Sequence, residues 1–235
     1  MLKRMLLSAL LLAVPACAST NTGETAPPPP GKVMIIGDSI SLGLGDMDPG
    51  TDCPVTPEFS SREHSYGVQV ARALDVDYIL YAWPGAGLVR NFGKDQTQTI
   101  SIRMNRLEEA HMLDGIGPLQ LILVNVGTHD FHQADPTDTF VPAMEDLLTM
   151  LETRFPEATI YALTGPMLAG TENAFHDQAV RTAVDEVNAE TGADIRYLAL
   201  NGGDERMAHG CAWHPSVPAH DHMSAMILED LKAHE

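Results

Sequence analysis

Ser39 directly follows a short apolar run, in Gly37-Asp38-Ser39-Ile40. A serine hydroxyl there can attack an acyl carbon only if a base removes its proton. Helix capping is the competing use of such a serine, because its oxygen readily accepts a bond from a first-turn N–H. The segment is not a G-x-S-x-G elbow, since Gly37-Asp38-Ser39-Ile40-Ser41 lacks the second glycine. Ten histidines are available as bases. His214 stands out because Gly210-Cys211-Ala212-Trp213-His214-Pro215 precedes the last helical segment and follows the last apolar run. His209, His214, His220 and His222 crowd this end of the chain with Asp221. A metal site there is disfavoured, because residues two apart on a helix point to different faces.

The elements that must bring Ser39 and His214 together are readable from periodicity. Lys32 to Ile36, Tyr78 to Ala82, Leu119 to Val126, Thr159 to Leu163 and Ile195 to Leu200 are short apolar runs, as expected of strands covered on both faces. Between them, helical spacing recurs at Tyr66, Val70 and Leu74, at Ile100, Met104 and Leu107, at Met144, Leu147, Leu148 and Leu151, and from Ala179 to Val187. A last helix is predicted from Val217 to Ala233, with Ser216 as its N-cap. This alternation predicts a three-layer α/β/α sandwich around a mostly parallel five-stranded sheet, a flavodoxin-like arrangement. Its ligands are expected beyond the carboxyl ends of the strands, where Ser39 falls.

The N-terminus reads as an export signal over residues 1–17: Lys3 and Arg4, an apolar run from Met5 to Val14, then Pro15-Ala16-Cys17. The run is too short to span a bilayer. Val14 to Cys17 resembles a bacterial lipobox, which makes Cys17 the expected lipidation site and a lipid anchor the expected tie to a membrane, in the periplasm or at the outer membrane. Residues 18–31, with Pro27 to Pro30, are polar and proline-rich and read as a tether, leaving 32–235 as the folded domain. A formal charge of −18 makes nucleic acid and anionic surfaces poor partners. With Cys17 in the export region, Cys53 and Cys211 remain as an even pair in an oxidising compartment. A disulfide between them is expected; two free thiols are the alternative.

Four blocks in order make the chain resemble the SGNH, or GDSL, hydrolase superfamily, and in detail the carbohydrate esterase family 2 deacetylases. They are Gly37-Asp38-Ser39-Ile40, Ala82-Trp83-Pro84-Gly85-Ala86-Gly87-Leu88-Val89-Arg90-Asn91, Gly127-Thr128-His129-Asp130-Phe131 and Gly210-Cys211-Ala212-Trp213-His214-Pro215-Ser216. The resemblance implies an acyl-enzyme mechanism without a cofactor or metal, in which Ser39 is the nucleophile and His214 the base. It assigns the oxyanion hole to the Ser39 N–H, the Gly87 N–H and the side chain at position 129, with Asp38 and Asp130 in support. Gly85 reads instead as a turn glycine needing a positive φ.

Two departures alter this scheme. Position 129 is histidine where the family has asparagine, and a neutral imidazole offers one N–H whose direction depends on the tautomer. The superfamily aspartate three residues before the histidine is Cys211, and family 2 often has aspartate where this chain has Ala212. A Ser39–His214 dyad follows, with a Cys53–Cys211 bridge as a structural substitute that pins the histidine loop. Trp213 is the candidate for stacking on a sugar ring, whereas Trp83 reads as core; Arg90 is either a substrate contact or the partner of a buried carboxylate.

The activity implied is removal of O-acetyl or other short acyl groups from carbohydrates by a monomeric serine esterase, with an acetylated saccharide or other short-chain ester as substrate. The alternatives are another GDSL-type esterase, lipase or thioesterase, an acetyltransferase, and a catalytically weak glycan-binding lipoprotein.

Overall fold

A computed structural model describes residues 31–47, 50–200 and 209–234. The export segment, Cys17 and most of the tether lie outside the described residues. Five strands, β1 (Lys32–Gly37), β2 (Tyr78–Ala82), β3 (Leu119–Asn125), β4 (Thr159–Thr164) and β5 (Arg196–Ala199), form one parallel sheet in the order β2-β1-β3-β4-β5. The helices are α1 (Tyr66–Ala73), α2 (Ile100–Glu109), α3 (Thr128–Phe131), α4 (Thr137–Arg154), α5 (Gly170–Thr191) and α6 (Val217–Ala233).

The apolar run of β1 shows why the sheet carries two cores. Successive side chains point to opposite faces, so Met34 and Ile36 pack with residues of α2, α4 and α5, while Val33 and Ile35 pack with residues of α1 and α6. Ile122 and Val124 of β3 join the first cluster, Leu121 and Leu123 the second. Burial on both faces holds for these central strands. β2 and β5 are half-buried throughout, because as edge strands they have a neighbour on only one side.

β1 lies between β2 and β3, so the chain leaving β1 goes to one side of it and later returns on the other. A crevice opens at such a switch point beyond the carboxyl ends of the strands. Ser39 follows β1 and His129 follows β3 across this opening. Ser216 occupies the N-cap position of α6, but its hydroxyl makes no capping bond and is buried without a partner. Among the described residues, no helix is long and apolar enough to cross a membrane.

Candidate active site

Ser39 caps no helix; the chain after β1 runs through successive turns to residue 47. Its Oγ lies 2.9 Å from His214 Nε2, across 175 residues of sequence. The other ring nitrogen, Nδ1, is 3.1 Å from the backbone carbonyl oxygen of Cys211. A carbonyl can only accept, so this contact puts the imidazole proton on Nδ1 and leaves Nε2 free to take the Ser39 proton. Burial holds the His214 pKa below its ordinary 6.5, while bonds to the backbone at Cys211 and Ala212 work the other way. The ring is therefore neutral, as a base must be, at neutral pH.

The carbonyl that orients His214 is itself fixed. Cys53 and Cys211 form a disulfide. The Cys211 N–H donates to Gly45 O at 2.8 Å, the Ala212 N–H to Thr51 O at 3.1 Å, and the Gly210 N–H to His214 O at 2.7 Å. Gly45 allows this approach: its φ is +69°, and a Cβ there would sit 2.7 Å from the Cys211 carbonyl oxygen. Ala212 and Trp213 both take left-handed conformations, φ +48° and +65°, which side chains other than glycine adopt only at a cost.

The glycine block turns at Gly85, φ +73°, as expected. The assignment of Gly87 to the oxyanion hole needs correction. Its N–H donates to Asn91 Oδ1 at 3.1 Å, and Gly85 rather than Gly87 lines the cavity at Ser39. Asn91 is held for this role by Gln96 and Asp95, which accept and donate to its backbone and amide. Residue 87 must be glycine because a Cβ would collide with the Arg90 carbonyl and the Asp130 carboxylate.

Asp130 is fully buried and accepts the N–H groups of Leu88, Val89 and Arg90 at 2.7 to 2.8 Å, tying the glycine block to α3. Burial pushes its carboxyl up, and those three bonds oppose the shift. Arg90 is not among the residues lining the cavity, and its positive charge bears on the buried Asp130 carboxyl, opposing the rise that burial causes. Its guanidinium donates to the carbonyl oxygens of His129, Asp130 and His132, closing the C-terminal end of α3 where helical carbonyls lack partners.

His129 lines the cavity beside Ser39, and its Nε2 lies 3.9 Å from Asp38 Oδ2. Burial, reinforced by His214, His132 and Arg90, lowers its pKa to about 4, so the ring is neutral. Asp38 Oδ1 accepts the Ile40 N–H at 2.9 Å, and complete burial raises the Asp38 carboxyl to about 7. Trp213 is 62% exposed and stands at the cavity with Phe92, 69% exposed. Leu44, Val55, Met167 and Leu168 supply further apolar wall to a space of about 530 Å³. Trp83 packs against the core, with the Arg103 guanidinium 4.9 Å over its ring.

His176 on α5 escaped sequence reasoning. Its buried Nε2 donates to Val126 O at 2.8 Å, one residue before Gly127, and so holds the strand end that launches α3 and His129. Gly127, at φ +118°, lies so close that a Cβ would collide with the His176 ring. In the sequence His176 stands ahead of the apolar positions Ala179 to Val187, with no motif to mark it. His220 is buried in α6, where its Nδ1 accepts the Tyr66 N–H at 3.2 Å and its ring stacks on Tyr66. Among the described residues no group of three or more potential ligands is arranged to hold a metal.

The layered sheet with this crevice is the fold of the SGNH hydrolases. The GDSL-like Lipase/Acylhydrolase family model matches residues 35–222, and the chain belongs to that family. It is 29% identical over 209 residues to the cellulase/esterase CelE of Acetivibrio thermocellus, covering 86% of this chain and 25% of that protein. It is 28% identical over 213 residues to an acetylxylan esterase / glucomannan deacetylase of Cellvibrio japonicus, covering 86% of this chain and 55% of that one. In structure it resembles a family two carbohydrate esterase from Clostridium thermocellum, solved in complex with cellohexaose, with a TM-score of 0.78 and 26% identity over 88% of this chain and 65% of the other. The chain thus spans between a quarter and two thirds of the length of these relatives.

Proposed function

We propose that the protein is a serine esterase that removes acetyl or similarly short acyl groups from carbohydrates. The observation that carries the reading is the 2.9 Å contact between Ser39 Oγ and His214 Nε2 at an open cavity. The Ser39 oxygen attacks the ester carbonyl as Nε2 takes its proton, and Nδ1–H remains bonded to Cys211 O. The tetrahedral intermediate collapses when Nε2 returns the proton to the departing sugar hydroxyl. Water, deprotonated by the same nitrogen, then releases the acid from the acyl-serine.

Negative charge on the intermediate is met by the Ser39 N–H, for which no bond is found among the described residues, and by His129. The Gly87 N–H, bonded to Asn91, is left out of this scheme. The exposed rings of Trp213 and Phe92 offer apolar faces to a saccharide, and relatives named as acetylxylan and glucomannan deacetylases support that substrate class. Export by residues 1–17, lipidation at Cys17 and a folded unit over 32–235 belong to the same proposal.

Hydrolysis of 4-nitrophenyl acetate by protein lacking residues 1–17 tests the reading. Turnover is expected, faster than with the butyrate ester, and is expected to vanish in Ser39→Ala and His214→Ala. Turnover that survives Ser39→Ala would refute it.

A further inference from the structure

His129 Nε2 and Asp38 Oδ2 face each other at 3.9 Å, and neither has a hydrogen-bond partner. Both atoms are buried, and unpaired polar atoms in such a place are costly. With Nε2 turned inward and the ring lining the cavity, Nδ1 is the nitrogen left to meet an oxyanion. A neutral imidazole carries one proton, so the proton that serves the oxyanion must be absent from Nε2.

We propose that Asp38 is a positioning residue that sets the tautomer of His129. As a neutral acid it donates its O–H to Nε2 once the two atoms close from 3.9 Å to hydrogen-bond distance; Nε2 must then accept, and the His129 proton resides on Nδ1, for the oxyanion. As a carboxylate it draws the proton to Nε2 and leaves an Nδ1 lone pair facing the negative charge. The switch releases one proton, that of Asp38, to solvent, while the ring proton changes nitrogen by exchange with water. This proposal rests on His129 being an oxyanion donor and adds what determines whether it can donate.

The surroundings favour the acid form near neutrality. Asp38 raises its pKa to about 7 because it is fully buried; the Ile40 N–H and the Thr128 hydroxyl oppose the rise, and the negative charge of Asp130 on α3 adds to it. Tyr66 of α1 faces the same carboxyl and itself remains a phenol. Around His129 stand Arg90, whose positive charge disfavours a second ring proton, the imidazoles of His214 and His132, and the Phe92 ring at 5.7 Å. The imidazole therefore changes tautomer without becoming charged. The asparagine usual at this position in the family needs no such control, since its amide always has hydrogens to donate.

The test is the pH profile of kcat/KM on 4-nitrophenyl acetate, with ¹⁵N NMR of the histidine-labelled protein reporting the His129 tautomer. In the wild type kcat/KM should rise as His214 loses its proton, then fall about tenfold per pH unit above about pH 7 towards a floor some 100- to 1,000-fold lower. The His129 proton should move from Nδ1 to Nε2 over the same range. Asp38→Asn, whose amide can donate to Nε2 at every pH, and His129→Asn should each abolish the alkaline decline, and the double variant should add nothing. An alkaline decline that persists in His129→Asn, or a His129 tautomer that does not change with pH, overturns the proposal; both readouts remain even if Asp38→Asn fails to fold. Wild-type kcat/KM in His129→Ala at pH 6 would instead remove the underlying donor role. A large loss there together with a wild-type profile flat above pH 7 would overturn only the part assigned to Asp38.

Discussion

The carbonyl oxygen of Cys211 lies 3.1 Å from His214 Nδ1 and also accepts the His214 backbone N–H, so one backbone atom holds both the ring and the main chain of the proposed base. In a triad a buried carboxylate does this work. A carbonyl fixes the tautomer equally well but lacks the negative charge that would stabilise an imidazolium. Its value here depends on staying in position, and the disulfide, the Gly45 approach and the left-handed pair Ala212–Trp213 all bear on that.

Removal of the bridge should therefore affect catalysis as well as folding. Cys53→Ala/Cys211→Ala is expected to lower kcat roughly ten- to a hundredfold with little change in KM, since small misplacements of a base are costly. Stability should fall by about 2–5 kcal/mol, read by denaturant unfolding. Wild-type kcat in the folded double variant would show that backbone bonds alone hold the loop.

Gly127 and His176 are coupled through contact. Gly127→Ala combines a left-handed φ with a collision against the His176 ring, so a loss of about 3 kcal/mol is expected. His176→Ala makes room but leaves Val126 O without its donor. The double variant should be more stable than the sum of the two single losses implies, and strict additivity in urea melts would contradict the contact.

His220 should leave a mark on acid stability. Complete burial lowers its pKa from 6.5 to about 3, so between those values the unfolded chain takes up a proton that the folded chain refuses. Its contribution to stability is full above about pH 6.5 and is lost as the pH falls below it, at up to about 1.4 kcal/mol per pH unit. Against His220→Gln, the wild type should thus lose relative Tm between pH 7.5 and pH 5. A constant Tm difference over that range would mean that the ring charges while folded.

Trp213→Ala should discriminate between substrates. A stacked sugar ring would lose roughly 1 kcal/mol, about fivefold in KM, whereas 4-nitrophenyl acetate has no sugar to lose. Acetate release from acetylated xylan and glucomannan oligosaccharides measures the first and nitrophenolate the second. An equal KM change for both would remove Trp213 from sugar recognition.

Much of the frame was legible because it depends on local pattern. The run Val33-Met34-Ile35-Ile36 has no alternation, as a strand between two cores requires, and α6 runs from Val217 to Ala233 as expected after His214-Pro215-Ser216. Trp83 and Gly85 likewise behave as their block suggested. Ser216 was less readable: it stands in the capping position, but its buried hydroxyl makes no bond to the first turn.

The site divides along the same line. By itself the sequence determined the five-stranded α/β frame, because strands and helices follow from local periodicity, and the resemblance carried by its four ordered blocks singled out Ser39 and His214. Only the tertiary structure decided that Cys211 O orients His214, that Asn91 occupies the Gly87 N–H, that Arg90 closes α3, and that His129 looks inward at Asp38. Each of these depends on which of several nearby donors and acceptors a folded backbone brings within 3 to 4 Å. That is a matter of distance in space between residues far apart in the chain, and residue type alone does not encode it.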